Sequence, residues 1–295
     1  MNTPVPVFPL SPSEYYSENL CTWCDGCGNY GIWTALKYAL VELELHPWQV
    51  CLGYDVGCHG NGSDKIQGYR FHGLHGRVIP FAAGAKLANM QMPVIAFGGD
   101  GATFSEGIGH LVHAVRSNYP ITFVLHNNEN FALTTGQASS LTRQGQRMNT
   151  SPDGMPERTV STMDFVFSLE PTFVARGFTG DIRLMTRILK AAIRHRGFAF
   201  VDMLQACPTY NRVATHEYLL DRYFDANAEG HDAGDLAEAT RIATSVQDRI
   251  ACGILYQRDD VPDFYERLVP RASVETTCVD EVRKYDVSQY FGQFV

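Results

Sequence analysis

A largely parallel α/β sheet flanked by helices is the fold class this 295-residue sequence predicts, and three observations lead to it. Short continuous apolar runs, at 93–97 and 121–125, read as strands buried on both faces. Segments with apolar residues at helical spacing alternate with them, as crossover units require. The strand-like runs open into Gly-rich or polar stretches, and ligands bind beyond the carboxyl ends of strands in such sheets.

Taken in order, residues 1–20 are rich in Pro and Ser, lack a period and read as an extended arm. Residues 29–45 carry Ile32, Leu36, Leu40 and Leu43 at helical spacing. Residues 48–56 read as a strand entering Gly57, and 57–76 as a polar loop long enough to be functional. Residues 78–89 return to a helical pattern ahead of the 93–97 strand. Residues 105–117 form a helix with Ile108, Leu111, Val112 and Val115 on one face. The 121–125 strand leads into a second polar loop, 127–145. Strands follow at 173–175 and 198–204, with a helix over 181–195 between them. From Thr215 the chain gains charge and loses the strand pattern. A helical extension over 215–295 is therefore expected behind a main domain of 21–214.

The chain is 45% hydrophobic, which suffices for a real core. Its formal net charge is −8 with no block of like charges, so no basic face for nucleic acid is visible. No apolar run approaches the ~20 residues of a membrane helix. The first twenty residues lack the basic-then-apolar order of a secretory signal. A soluble, cytoplasmic protein is expected.

The loops hold two sets of chemistry-bearing residues. Gly98-Gly99-Asp100-Gly101 follows the 93–97 strand and precedes a helix. Glycines there let the backbone approach a ligand, and a helix N-terminus favours phosphate oxygens. Asp100 offers the hard anionic oxygen that magnesium prefers. One β-α-β unit later the next strand ends in Asn127-Asn128, at the same sheet edge as Asp100. A lone Gly-Asp-Gly is more often a tight turn; its pairing with Asn-Asn after one crossover argues for a diphosphate-bound ion.

The second set is Cys24-Asp25-Gly26-Cys27, joined by Cys58 after one strand and Cys207 after another. A zinc half-site and a redox dithiol are the bland readings. No second short-range ligand pair follows, however, and Cys24 does not follow a strand. Four thiolates from three loops can close around a cubane cluster. Cys21, three residues before Cys24, leaves open whether it replaces one of them. Cys51, Cys252 and Cys278 lie in apolar or helical surroundings typical of inert thiols.

At this point the sequence resembles a known family. Asp100 and Asn128 are similar to the metal-binding pair of thiamine-diphosphate enzymes. Trp23-Cys24-Asp25-Gly26-Cys27-Gly28 resembles the opening of the β subunit of 2-oxoacid:ferredoxin oxidoreductases. Gly57-Cys58, Phe71-His72-Gly73-Leu74-His75-Gly76-Arg77, the block over 81–89, Leu133-Thr134-Thr135-Gly136-Gln137 and Cys207-Pro208-Thr209-Tyr210-Asn211 follow in family order.

The resemblance implies a thiamine-diphosphate-binding fold and Mg2+ on Asp100, the Asn128 side chain and the Asn130 carbonyl. It implies a [4Fe–4S] cluster on Cys24, Cys27, Cys58 and Cys207. It also implies cofactor contacts from Gly57, Cys58, His59, His75, Gly99, Gly101, Ala102, Ala132, Leu133 and Thr134. His75, Asn61 and Lys65 are candidates for meeting the substrate carboxylate or intermediate. His110 and His113 read as solvated, and His46 and His195 as structural. The implied activity is coenzyme A-dependent oxidative decarboxylation of a 2-oxoacid, or the reverse carboxylation, with electrons passed to ferredoxin. The implied partner is an α subunit, alone or fused to a γ domain, in an (αβ)2 assembly. That subunit would supply the glutamate that activates the aminopyrimidine, so this chain alone is expected to be inactive.

The sequence departs from the family at Ala102, where many members carry Asp, at Thr135, where many carry Lys, and in the longer loop after Cys58. The Asn61-Gly62-Ser63-Asp64-Lys65 and Thr134-Thr135-Gly136-Gln137 segments resemble members of the 2-oxoglutarate type. Pyruvate or another 2-oxoacid, a non-oxidative thiamine lyase, and a metal-binding electron-transfer module without thiamine are the competing readings.

Overall fold

The computed structural model describes residues 10–245, 248–271, 273–282, 286 and 288–291. Among these residues one eight-stranded sheet runs through the molecule in the order β2-β1-β3-β4-β6-β5-β8-β7. Its strands are β1 (Cys51–Tyr54), β2 (Tyr69–His72), β3 (Val94–Gly99), β4 (Thr122–Asn127), β5 (Phe173–Phe178), β6 (Ala199–Leu204), β7 (Tyr223–Asp225) and β8 (Ile250–Gln257). All neighbours pair in parallel except β5 and β8. The carboxyl ends of β1, β3, β4 and β6 therefore open on one edge, as the sequence predicts.

Alternate residues along these strands enter two separate cores, which explains their unbroken apolar runs. Ile95, Phe97, Val124 and Val201 face one core. There α1 (Asn29–Glu42) packs against α5 (Ile182–Arg194), whose buried stripe is Leu184, Met185, Ile188, Leu189 and Ala192. The Asp181 carboxylate caps α5 by accepting from the Leu184 N–H at 2.9 Å. Ala96, Phe123, Leu125 and Phe200 face the other core. It is covered by α2 (Val78–Ala88), α3 (Ile108–Ser117), α4 (Thr162–Phe167) and, further along, α7 (Leu236–Thr244), with α6 (His216–Leu220) between β6 and β7.

Three sequence expectations need correction. The 57–76 segment is not loop throughout. It contains a 3-10 turn, His59–Asp64, and the edge strand β2, whose four residues are all exposed and so carry no alternating pattern. The extension from Thr215 is not simply helical, because β7 and β8 lie within it and β8 hydrogen-bonds to β5. Strand β8 is a continuous apolar run, Ile250-Ala-Cys-Gly-Ile-Leu-Tyr, that its charged surroundings obscure in the sequence. The arm is tied down in its described part: Tyr15 is buried and Tyr16 bridges to Ile66. No described helix is long and apolar enough to cross a membrane.

Candidate active site and thiol cluster

The Gly98-Gly99-Asp100-Gly101 turn leaves β3 into a short π-helical turn, Gly101–Glu106, before α3. Asp100 is buried there. Its carboxylate accepts from the Ser139 hydroxyl and, at 3.4 Å, from the Asn128 N–H at the end of β4. The two residues thus face each other across adjacent strands whose register pairs Gly99 with His126. Asn128 Oδ1 accepts from the Asn130 N–H at 3.1 Å and keeps a second lone pair. The Asn128 carbonyl accepts from the side-chain amides of Asn130 at 2.7 Å and Asn211 at 3.1 Å.

One cavity brings together Gly57, Cys58, His59, His75, Gly99, Asp100, Gly101, Ala102, Asn128, Asn130, Ala132, Leu133 and Thr134, with Val56 and Phe131 completing its wall. A Cβ on Gly101 would lie 2.3 Å from the Phe131 ring, so the turn tolerates no side chain.

Two features fit this cavity to a cation-bound diphosphate. Burial pushes the Asp100 carboxyl up to about 7 despite the Ser139 hydrogen bond, so its charge lacks a compensating partner. The Asn130 side-chain oxygen is buried with no hydrogen-bond donor. A divalent cation carrying phosphate oxygens would satisfy such oxygens together.

The four thiols come from three loops and meet beside this cavity. Gly28 N–H donates to the Ala206 carbonyl at 3.3 Å, joining the Cys27 turn to the Cys207 loop. Trp23 Nε1 donates to the Cys58 carbonyl at 2.7 Å, joining the Cys24 turn to the Cys58 loop. Burial, reinforced by the other three thiols, pushes Cys58 up to about 12. Burial pushes Cys27 up to about 11, with Cys207 and Cys24 also raising it.

Such thiols keep their protons until a metal displaces them. Two donors already address the sulfurs: Thr209 Oγ1 reaches Cys24 Sγ at 3.2 Å, and Gln205 Nε2 reaches Cys27 Sγ at 3.7 Å. Among the described residues no three His, Cys, Asp or Glu side chains close on one metal ion. The four thiols act on one another electrostatically, and donors to sulfur suit a cluster.

Two known families match successive stretches of the chain. The family described as thiamine pyrophosphate enzyme, C-terminal TPP binding domain, matches residues 55–203. The family of the C-terminal part of the pyruvate ferredoxin oxidoreductase beta subunit matches residues 207–272. A 2-oxoacid:ferredoxin oxidoreductase subunit beta from Saccharolobus solfataricus is 35% identical over 283 residues, covering 92% of each chain. The chain belongs to the β subunits of the 2-oxoacid:ferredoxin oxidoreductases.

A 2-oxoglutarate oxidoreductase subunit KorB from Mycobacterium tuberculosis is 34% identical over 69% of this chain and 54% of its own length. Among solved structures, the 2-oxoglutarate:ferredoxin oxidoreductase from Magnetococcus marinus, with 2-oxoglutarate, coenzyme A and succinyl-CoA bound, superposes with a TM-score of 0.83. It is 30% identical, with 96% of both chains covered. This β subunit is thus part of a thiamine pyrophosphate-dependent enzyme and works with an α subunit.

The three candidate substrate residues separate in the structure. His75 lines the cavity, with Nδ1 3.1 Å from Glu106 Oε2. Asn61 and Lys65 do not line it. They sit in and just after the 3-10 turn, where Lys65 is buried and its Nζ pairs with Asp64 at 2.9 Å. Lys65 acts electrostatically on Cys21 instead. Cys21 itself is not among the thiols that act on Cys27 and Cys58.

Sequence reasoning passed over four residues. Ser139 holds Asp100. Asp55, buried at the end of β1, accepts from the N–H groups of Val56 at 2.7 Å and Gly76 at 2.8 Å, tying the Cys58 loop to the His75 loop. His126 and Gln205 lie buried between cavity and thiols. None sits in a motif with a chemical signature, and only the second Asn of Asn127-Asn128 pointed toward β4.

Proposed function

We propose that this β subunit, joined to its α subunit in an (αβ)2 cytoplasmic enzyme, oxidatively decarboxylates 2-oxoglutarate with coenzyme A and passes the electrons to ferredoxin. The same assembly can run in reverse as a carboxylase. The observation that carries this reading is the position of Cys58. It lines the cavity of Asp100 and Asn128 and at the same time belongs to the group of four interacting thiols.

Asp100 and the Asn128 side chain would hold Mg2+, with the Asn130 carbonyl as third ligand, and so fix the diphosphate. Thiamine diphosphate supplies there the carbon nucleophile and electron sink for decarboxylation. Gly101, Ala102, Ala132, Leu133 and Thr134 wall the cavity and limit water. His59 is held well below its ordinary pKa, chiefly by burial, so it faces the cavity as a neutral ring. His75, anchored beside Glu106, is the cavity's candidate for the substrate carboxylate. Cys24, Cys27, Cys58 and Cys207 would hold the [4Fe–4S] cluster.

The names of the Mycobacterium and Magnetococcus relatives favour 2-oxoglutarate over pyruvate. The test is the reconstituted αβ enzyme under anaerobic conditions. Cluster bleaching by 2-oxoglutarate plus coenzyme A should exceed that by pyruvate at equal concentration. Faster bleaching by pyruvate would overturn the substrate, and turnover by the β subunit alone would overturn its dependence on the α subunit.

A further inference from the structure

We infer that Gln205 is a positioning residue that keeps a hydrogen bond on the Cys27 sulfur and thereby raises the reduction potential of the cluster, and that His126 holds its amide in that orientation. The inference rests on the reading that the four thiols carry a [4Fe–4S] cluster.

Gln205 is the first residue after β6, two before Cys207, and is buried. Its N–H donates to the Asn127 carbonyl at 2.9 Å, so its backbone is locked to the end of β4. Its side-chain amide then bridges two groups. Oε1 lies 3.0 Å from His126 Nδ1, and Nε2 lies 3.7 Å from Cys27 Sγ. The same His126 Nδ1 faces Asn29 Oδ1 at 2.9 Å. A thiolate sulfur only accepts, so the amide turns its NH2 toward Cys27 and its oxygen toward His126. With the Gln205 and Asn29 oxygens facing it, Nδ1 then carries the ring proton. A flipped amide would set its oxygen against the thiolate, which the sulfur rejects.

Glycine at position 28 is what lets this bridge reach the sulfur. A Cβ there would lie 2.6 Å from Gln205 Cγ and 2.7 Å from Thr179 Oγ1. The residue next to Cys27 has therefore given up its side chain to the amide.

An N–H dipole aimed at a ligand sulfur stabilises the more negative, reduced cluster and raises its potential. Burial keeps water from screening the dipole or replacing it when it is removed. His126 also stands between the two sites. Its ring lies 5.1 Å from that of His59, which lines the diphosphate cavity. The amide that tunes the electron acceptor is thus pinned from β4, the strand that leads into Asn128.

The experiment uses the αβ holoenzyme, and iron and sulfide are measured first. A wild-type enzyme with no cluster overturns the cluster reading itself, before Gln205 is tested. On loaded protein, an EPR-monitored redox titration compares wild type, Gln205→Met and His126→Phe. Gln205→Met keeps the length and burial and deletes the donor. Its midpoint should fall by about 59 mV, a tenfold shift in one-electron equilibrium. His126→Phe should shift it in the same direction by less, since the freed amide still samples the bonding rotamer. An unchanged midpoint in Gln205→Met overturns the inference. If that variant takes up no cluster, electron–nuclear double resonance on wild type with 15N-labelled glutamine in D2O decides. An exchangeable deuteron and a 15N coupled to the reduced cluster support the bond, and their absence overturns it.

Discussion

The cavity of Asp100 and Asn128 and the group of four thiols are neighbours built in opposite ways. Asp100 and Asn128 come from one β3-α3-β4 crossover, and the parallel register of two adjacent strands sets their separation. The thiols come from the N-terminal turn, the end of β1 and the end of β6, strands that β3 and β4 hold apart in the sheet. In the first site the facing of Asp100 and Asn128 is set once that single crossover unit folds, and Ser139 with the segments around Cys58 and His75 closes the cavity over it. The second needs the whole sheet assembled and the N-terminal turn docked through Trp23 and Gly28. A local site should therefore survive damage that abolishes a global one.

Cys207→Ala should break the symmetry between them most. Iron content should fall and electron transfer to ferredoxin drop about hundredfold or more, since loss of a ligand exceeds the usual cost of losing its supporting shell. Thiamine diphosphate affinity should change little, because the side chain lies outside the cavity. Loss of both together would show that the sites fold as one. Asp100→Ala is the reverse case. Truncating one partner of a buried charge pair costs about 2–5 kcal/mol, or at least thirtyfold in calorimetric affinity for Mg2+-thiamine diphosphate. Iron should stay bound.

Ser139→Ala sharpens the comparison within the cavity. A hydrogen bond to a charged group is worth about 1.5–3 kcal/mol, so Mg2+ affinity should weaken roughly tenfold or more. An unaltered affinity would mean that the hydroxyl stabilises the cation-free and cation-bound sites equally.

The smallest effect concerns the packing behind the thiol turn. Lys37 is buried without a hydrogen-bond partner, its ammonium 3.0 Å from the Trp33 ring centroid and 3.7 Å from that of Tyr16. Burial lowers its pKa to about 8. The unfolded chain binds this proton more tightly, so the penalty to folding is complete below pH 8 and fades as pH rises toward the ordinary lysine value. Lys37→Met should therefore raise the melting temperature at pH 7, and its advantage over wild type should shrink by pH 10. A gap that stays constant with pH would assign the change to packing alone.

How much of this was legible follows the same division between local and long-range. Strands β3 and β4 announce themselves as apolar runs because both faces are buried. Strand β2 does not, because an edge strand with every side chain exposed needs no apolar residue. Asp100 and Asn128 could be paired from the sequence because one crossover links them. Asn61 and Lys65 could not be placed, because side-chain direction in a 3-10 turn depends on what packs around it. Lys65 turned toward Asp64. The thiols could be listed, but their grouping with one another rather than with Cys21 depends on which loops the sheet order brings together.

Periodicity and spacing alone determined the parallel α/β architecture and the placing of Asp100 and Asn128 at one sheet edge, since these rest on backbone geometry. The ligand roles of the carboxylate, amide and thiols came from the resemblance to a known family. Only the tertiary structure decided that Cys58 joins the two sites, that β7 and β8 complete the sheet, and that one glutamine amide is fixed between a histidine and a cysteine sulfur. Those are relations between residues up to 178 positions apart. No local preference encodes them, because the contacts exist only when the whole chain has closed.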